Sequence, residues 1–170
     1  ENNMYKKQEV LEFLNNKNIE FEMVEHEAVF TIEEMNNLNL EEKGVGVKNL
    51  FLRDEKGKNH FLIVAKDETK IDLKGLKDKI NSTKLSFASE ERLQKYLGVT
   101  RGSVSPLCIL NDEENAVKVF IEKSVENEAR IAVHPNDNTA TVYIATKDVE
   151  NIIKEHENSV EYITQKNKKS

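Results

Sequence analysis

Three short segments carry the reactive and polar groups from which a site could be built: Lys48-Asn49 at the head of an apolar run, Gly102-Ser103-Val104-Ser105-Pro106, and Ala132-Val133-His134-Pro135. The chain has two prolines, Pro106 and Pro135, and each ends one of these segments. Proline fixes φ and removes a backbone donor, so both loops are expected to keep one shape. A lysine brings a cation, and a loop of small residues can turn backbone N–H groups toward a carbonyl or an oxyanion. A lysine, such a loop and a histidine meeting on one sheet would make a pocket for an anionic or carbonyl-bearing ligand.

Each of these residues also has a plainer reading. Lys48 shares a strand face with Leu50 and Leu52, while Asn49 shares the other with Val47 and Phe51. A lysine so placed either snorkels to water or points its ammonium into a cleft. The Gly102–Pro106 segment has the composition of an ordinary helix-to-strand connection as well as that of an oxyanion loop. His134 lies on the face of Arg130 and Ala132 and is either structural or part of a site. Cys108 is flanked by Leu107 and Ile109, the setting of core filler rather than of a nucleophile. His26, His60 and His156 lack the paired spacing of zinc ligands, so no metal is expected. No nucleophile elbow, phosphate-binding glycine loop or dinucleotide fingerprint occurs, and no cofactor is implied.

The elements that must position these residues follow from periodicity. Tyr5 to Asn16 carries Val10, Leu11 and Leu14 at helical spacing, and the alternation around Ile19, Phe21 and Met23 predicts a strand. Thr31-Ile32-Glu33-Glu34 reads as a capping box opening a helix to about Leu38. Val47 to Arg53 and His60 to Lys66 flank Asp54-Glu55-Lys56-Gly57 as a hairpin of two central strands apolar on both faces. Helices are expected over Leu73 to Ile80 and over Ser89 to Leu97, the second with Ser89 as N-cap and Gly98 past its end. Leu107 to Leu110, Ala116 to Ile121, Ala129 to Val133, Thr139 to Ala145 and Val160 to Thr164 read as strands, with a helix over Asp148 to His156. Hairpins with helices inserted between them predict an α+β fold: a mixed, mostly antiparallel central sheet or partial barrel with surrounding helices. No linker interrupts the 170 residues, so one domain is expected, with its core over about 5–165.

Composition narrows the partners. The net charge is −6, and residues 1–42 hold 11 acids against 3 bases, which leaves 20 acids and 22 bases for the remainder. A protein that tracks a long nucleic acid shows a basic stripe, which this chain lacks, although its C-terminal part can grip a short end through a few phosphates. No apolar run approaches the length of a membrane span, and a single cysteine suits a reducing compartment. A cytoplasmic protein without a membrane partner is expected.

Taken together, Lys48-Asn49-Leu50-Phe51-Leu52-Arg53-Asp54, the Gly102-x-x-x-Pro106 loop, and His134-Pro135 with Asn138-Thr139 resemble the YbaK/ProX superfamily of aminoacyl-tRNA editing domains over roughly residues 5–165. The Lys-Asn-Leu-Phe-Leu run is most similar to the freestanding ProX-type alanyl-tRNA(Pro) deacylases. The resemblance implies hydrolysis of the ester of mischarged Ala-tRNA(Pro) in trans, without metal or cofactor. It implies that Lys48 holds the terminal adenosine, that Asn49 orients the substrate, and that Gly102 and Ser103 with Val104, Ser105 and Pro106 line the scissile ester. His134 would border the aminoacyl pocket, with His26, Thr31 and Asn138 in its walls. The implied partners are the acceptor end of tRNA(Pro) carrying a small amino acid, and prolyl-tRNA synthetase as an auxiliary. Deacylation of Cys- or Ser-tRNA, or a non-catalytic sensor of charged tRNA or amino acid, are the alternatives.

Overall fold

The computed structural model describes residues 4–28 and 43–164. Eight strands form one open mixed sheet in the order β1-β7-β6-β2-β3-β5-β8, with β4 paired to β2 off that path. They are β1 (Phe21–Glu25), β2 (Val45–Arg53), β3 (His60–Lys66), β4 (Ser86–Phe87), β5 (Val117–Glu122), β6 (Arg130–Val133), β7 (Ala140–Ala145) and β8 (Val160–Ile163). The helices are α1 (Lys7–Asn16), α2 (Leu73–Lys79), α3 (Glu90–Leu97), the short α4 (Lys123–Glu126) and α5 (Thr146–Glu155). The α+β expectation holds. Pairing is antiparallel for β1 with β7, β6 with β7, and β2 with both β3 and β4, and parallel for β2 with β6, β3 with β5, and β5 with β8.

Local chemistry explains the elements. In α1, Val10 and Leu14 are four residues apart on one face and both are fully buried. Ser89 caps α3 by accepting from the Arg92 N–H at 3.2 Å, and Gly98 ends it at φ 66°. The β2–β3 hairpin turns on Asp54, whose carboxylate accepts from the N–H groups of Lys58 and Asn59 and from Asn59 Nδ2, while Gly57 takes φ 69°.

The stretch Leu107 to Leu110 departs from expectation. It is not a strand but part of a 3₁₀ helix over Pro106–Asn111. Ser105 caps it by accepting from the Leu107 N–H at 3.0 Å, and Pro106 supplies the φ of a first helical position. Leu107, Cys108, Ile109 and Leu110 are all buried, and a short apolar run surrounded by core has no periodicity to tell strand from helix. The capping box at Thr31 and its helix lie outside the described residues.

The core has two parts, one on each face of the sheet. On one face Phe51, Leu62, Val64, Val119, Ile131 and Val142 meet α1, α3, α5 and the 3₁₀ helix through Val10, Leu14, Leu97, Ile109 and Ile153. On the other, Leu52, Phe61, Ile63 and Phe120 meet Leu76 of α2 and Leu85. Fully burying an aliphatic side chain contributes about 1.5–3 kcal/mol, so these two layers hold the helices against the sheet. The face of the second cluster continues across β6 and β7 as Ala132, His134, Thr141 and Tyr143, which belong to neither cluster.

Candidate active site

β2 changes neighbours along one edge. Its start pairs with β6 at Val45–Ile131 and Gly46–Ala132, and its end pairs with β4 at Leu52–Phe87 and Arg53–Ser86. Between these pairings, residues 47–50 have no strand partner on that edge among the described residues, and the Phe51 carbonyl accepts from the Ala88 N–H at 2.9 Å. The sheet is split there, and the split holds Lys48 and Asn49. Consecutive strand residues point to opposite faces. At an opening in the sheet, both can reach a ligand that enters edge-on.

Lys48 lies two residues beyond Gly46, and His134 two beyond Ala132, its parallel partner, so both belong to one face of the sheet. Lys48 is half-buried and makes no hydrogen bond or ion pair among the described residues. Asn49 is half-buried on the opposite face, and its Oδ1 is a buried acceptor without a partner among the described residues. Unsatisfied buried acceptors are uncommon in folded proteins and point to a missing donor.

His134 is held by the turn into β7. Its Nδ1 lies 2.8 Å from the Ala140 carbonyl, which can only accept, so Nδ1 carries the proton and Nε2 keeps its lone pair. Burial pushes its pKa below the ordinary imidazole value, with the Ala140 carbonyl opposing. The imidazole is therefore neutral at pH 7. The ring of His26 is 6.1 Å away, its Nδ1 donating to the Glu27 carbonyl and its Nε2 accepting from the Thr141 hydroxyl at 2.9 Å. Thr141 belongs to this wall and was missed by the sequence reading. It stands in an alternating strand, where nothing distinguishes it from any half-buried threonine.

The glycine loop reaches the same region from α3. A Cβ on Gly102 would lie 3.1 Å from Asn138 Nδ2, which puts the loop against the turn that follows His134. Asn138 Nδ2 also donates to the Ala28 carbonyl at 3.4 Å. The start of the loop is a 3₁₀ turn over Arg101–Ser103, in which the Ser103 N–H donates to the Thr100 carbonyl at 3.0 Å. Ser103 is buried and its N–H is committed, whereas the N–H groups of Gly102 and Ser105 have no partner among the described residues. Ser105 and Pro106 are buried, and the Ser105 hydroxyl caps the following 3₁₀ helix. Beneath the loop, Cys108 Sγ donates to Asn136 Oδ1 at 3.2 Å and so ties it to the His134 turn. Complete burial raises the thiol to about 12, which leaves no thiolate for nucleophilic attack at pH 7.

The structure thus brings the glycine loop, Asn138 and the turn after His134 together, and strand register puts His134 on the face of Lys48. Thr31 lies outside the described residues. Among the described residues no group of three or more His, Cys, Asp or Glu side chains is arranged to hold a metal ion, and no helix is long and apolar enough to cross a membrane.

Residues 26–152 match the aminoacyl-tRNA editing domain family. The chain is 51% identical to the prolyl-tRNA editing protein ProX of Acetoanaerobium sticklandii, over 92% of this chain and 96% of that one. It is 33% identical to prolyl-tRNA synthetase associated domain-containing protein 1 of Danio rerio, over 88% of this chain and 82% of that one. A solved protein proposed to be a trans-editing enzyme for prolyl tRNA synthetase superposes with a TM-score of 0.67 at 17% identity, covering 94% of each chain, a likeness of fold. The chain belongs to the aminoacyl-tRNA editing domain family, hydrolases that take amino acids off mischarged tRNA.

Proposed function

We propose that this chain hydrolyses the ester of Ala-tRNA(Pro), acting on the acceptor end in trans. The observation that carries this reading is the split along β2, where the unpaired Lys48 ammonium and the orphaned Asn49 Oδ1 flank one opening in the sheet. A terminal nucleotide supplies a phosphate for the cation, and its ribose hydroxyls supply donors for Asn49. The scissile carbonyl then faces the Gly102–Pro106 loop, where the free N–H groups of Gly102 and Ser105 can receive the oxyanion. Water attacks the carbonyl carbon, the bond to the ribose oxygen breaks, and that oxygen leaves with a proton. The 2′-hydroxyl of the terminal ribose is positioned to assist, since no side chain here is a free nucleophile.

His134, His26 and Asn138 border the aminoacyl pocket. A synthetase pocket shaped for proline rejects the smaller alanine only weakly, because each missing methylene is worth about 1–3 kcal/mol, so a second sieve that admits only small residues removes the error. The names of the relatives, a prolyl-tRNA editing protein and proteins that contain a prolyl-tRNA synthetase associated domain, support tRNA(Pro) as the substrate and the synthetase as a partner. The test is hydrolysis of labelled Ala-, Ser-, Cys- and Pro-tRNA(Pro) by the pure protein. Fast loss of alanine with Pro-tRNA(Pro) left intact is expected. Preference for cysteine or serine would move the specificity, and no turnover of any of the four would overturn the reading in favour of a sensor.

A further inference from the structure

Asp67 escaped notice in the sequence because it stands among charged residues just after an apolar strand. Its N–H donates to the Gly46 carbonyl at 3.1 Å, which carries the β2–β3 pairing one residue past β3. Its carboxylate then folds back over β2. A Cβ built on Gly46 would lie 2.1 Å from Asp67 Oδ2 and 3.1 Å from Cγ, so the missing side chain of Gly46 is what lets the carboxylate lie there. Gly46 pairs with Ala132 and precedes Lys48 by two residues, which places the carboxylate on the face of Lys48 and His134.

The Asp67 side chain is exposed and accepts no hydrogen bond among the described residues. The bulk packed around it pushes its pKa up, while the Lys48 charge opposes and Glu68 adds to the rise. The Lys48 charge acts on this carboxylate, yet no ion pair closes between them among the described residues. A cation and an anion therefore stand side by side in the site, each open to a ligand.

We infer that Asp67 receives the α-ammonium of the aminoacyl group while Lys48 holds the nucleotide end. This rests on the proposed deacylase function and adds a substrate requirement to it. An aminoacyl ester carries an ammonium on the α-carbon at one side of the scissile carbonyl and a phosphodiester beyond the ribose at the other. A paired anion and cation match that charge order, and the carboxylate forms a charge-assisted hydrogen bond with the ammonium. An N-acylated aminoacyl group lacks the charge and leaves Asp67 facing an amide, so peptidyl-tRNA, which bears the same ester, is rejected.

The experiment compares kcat/KM for alanyl-tRNA(Pro) and N-acetylalanyl-tRNA(Pro) in the wild type, Asp67→Asn and Gly46→Ala, each checked for an unchanged circular-dichroism spectrum. The wild type is expected to favour the free amine by about 10- to 100-fold, the worth of one hydrogen bond to a charged group. Asp67→Asn should lose about that factor on alanyl-tRNA and little on the acetylated substrate, collapsing the ratio toward one. Gly46→Ala should move the ratio in the same direction by displacing the carboxylate. An equal loss on both substrates would show that Asp67 only positions Lys48, and would overturn the inference. So would a wild type that takes both substrates equally, and that result would leave the deacylase reading standing, whereas a wild type inactive on both would overturn both.

Discussion

At the scale of single residues, the lysine and the histidine do different work. Lys48→Ala removes the cation at the split in β2 while leaving both core clusters untouched, so deacylation should fall by about 10²-fold or more with little change in stability. Lys48→Arg should be impaired too, because a planar guanidinium does not replace a compact ammonium. Rates on Ala-tRNA(Pro) beside urea midpoints check both, and a folded Lys48→Ala protein of wild-type rate would remove the lysine from the mechanism. His134 is neutral and oriented by the Ala140 carbonyl rather than by a carboxylate, which fits a pocket wall. Accordingly His134→Ala should lower hydrolysis of alanine modestly and let larger aminoacyl groups in. Loss of a general base would instead cost about 10²–10⁴-fold for every substrate alike, a contrast read directly from Ala- and Ser-tRNA(Pro).

At the scale of elements, α3 is locked to the β2–β3 hairpin by a buried histidine. His60 is 1% exposed, its Nε2 accepts from Arg92 Nη1 at 2.9 Å, and its ring lies 4.1 Å from that of Tyr96. Burial above all, and the Arg92 charge next, bring its pKa from 6.5 to about 4. The folded value is below the unfolded one, so the unfolded chain takes up the proton first as pH falls. This contribution to stability is complete above pH 6.5 and drains away between 6.5 and 4. Between pH 7 and pH 5 it amounts to about 2 kcal/mol. His60→Gln keeps an acceptor for Arg92 and cannot titrate, so its urea-unfolding free energy should fall by about 2 kcal/mol less than the wild type's over that interval. Equal slopes in the two proteins would show that His60 is protonated in the native state.

At the scale of the whole molecule, charge sets how the protein meets its substrate. A net charge of −6 offers no broad attraction to tRNA, and Lys48 is a cation at the site with no ion pair among the described residues. A grip on one or two phosphates at a single-stranded end should give a slope of log KM against log salt of about 1, since each phosphate neutralised contributes about 0.7. Steady-state rates between 50 and 300 mM KCl measure it, at about one tenth of saturation. A slope above about 4 would reveal a basic track along the acceptor stem.

Most of the elements and the chemical alphabet of the site were legible in local spacing alone. Periodicity located β3, the caps at Ser89 and Gly98 bounded α3, and the co-occurrence of Lys48, Gly102–Pro106 and His134 carried the family. These are local signals, written in spacing that the backbone reads within a few residues. Only the tertiary structure decided that β2 changes partners midway, which gives Lys48 and Asn49 one opening although they point to opposite faces. It also decided that Leu107–Leu110 coils instead of extending, because four buried residues carry no period once core surrounds them on every side. Asp67 over Gly46 and Thr141 on His26 come from strand register, which joins residues far apart in the chain and leaves no trace in the spacing of either.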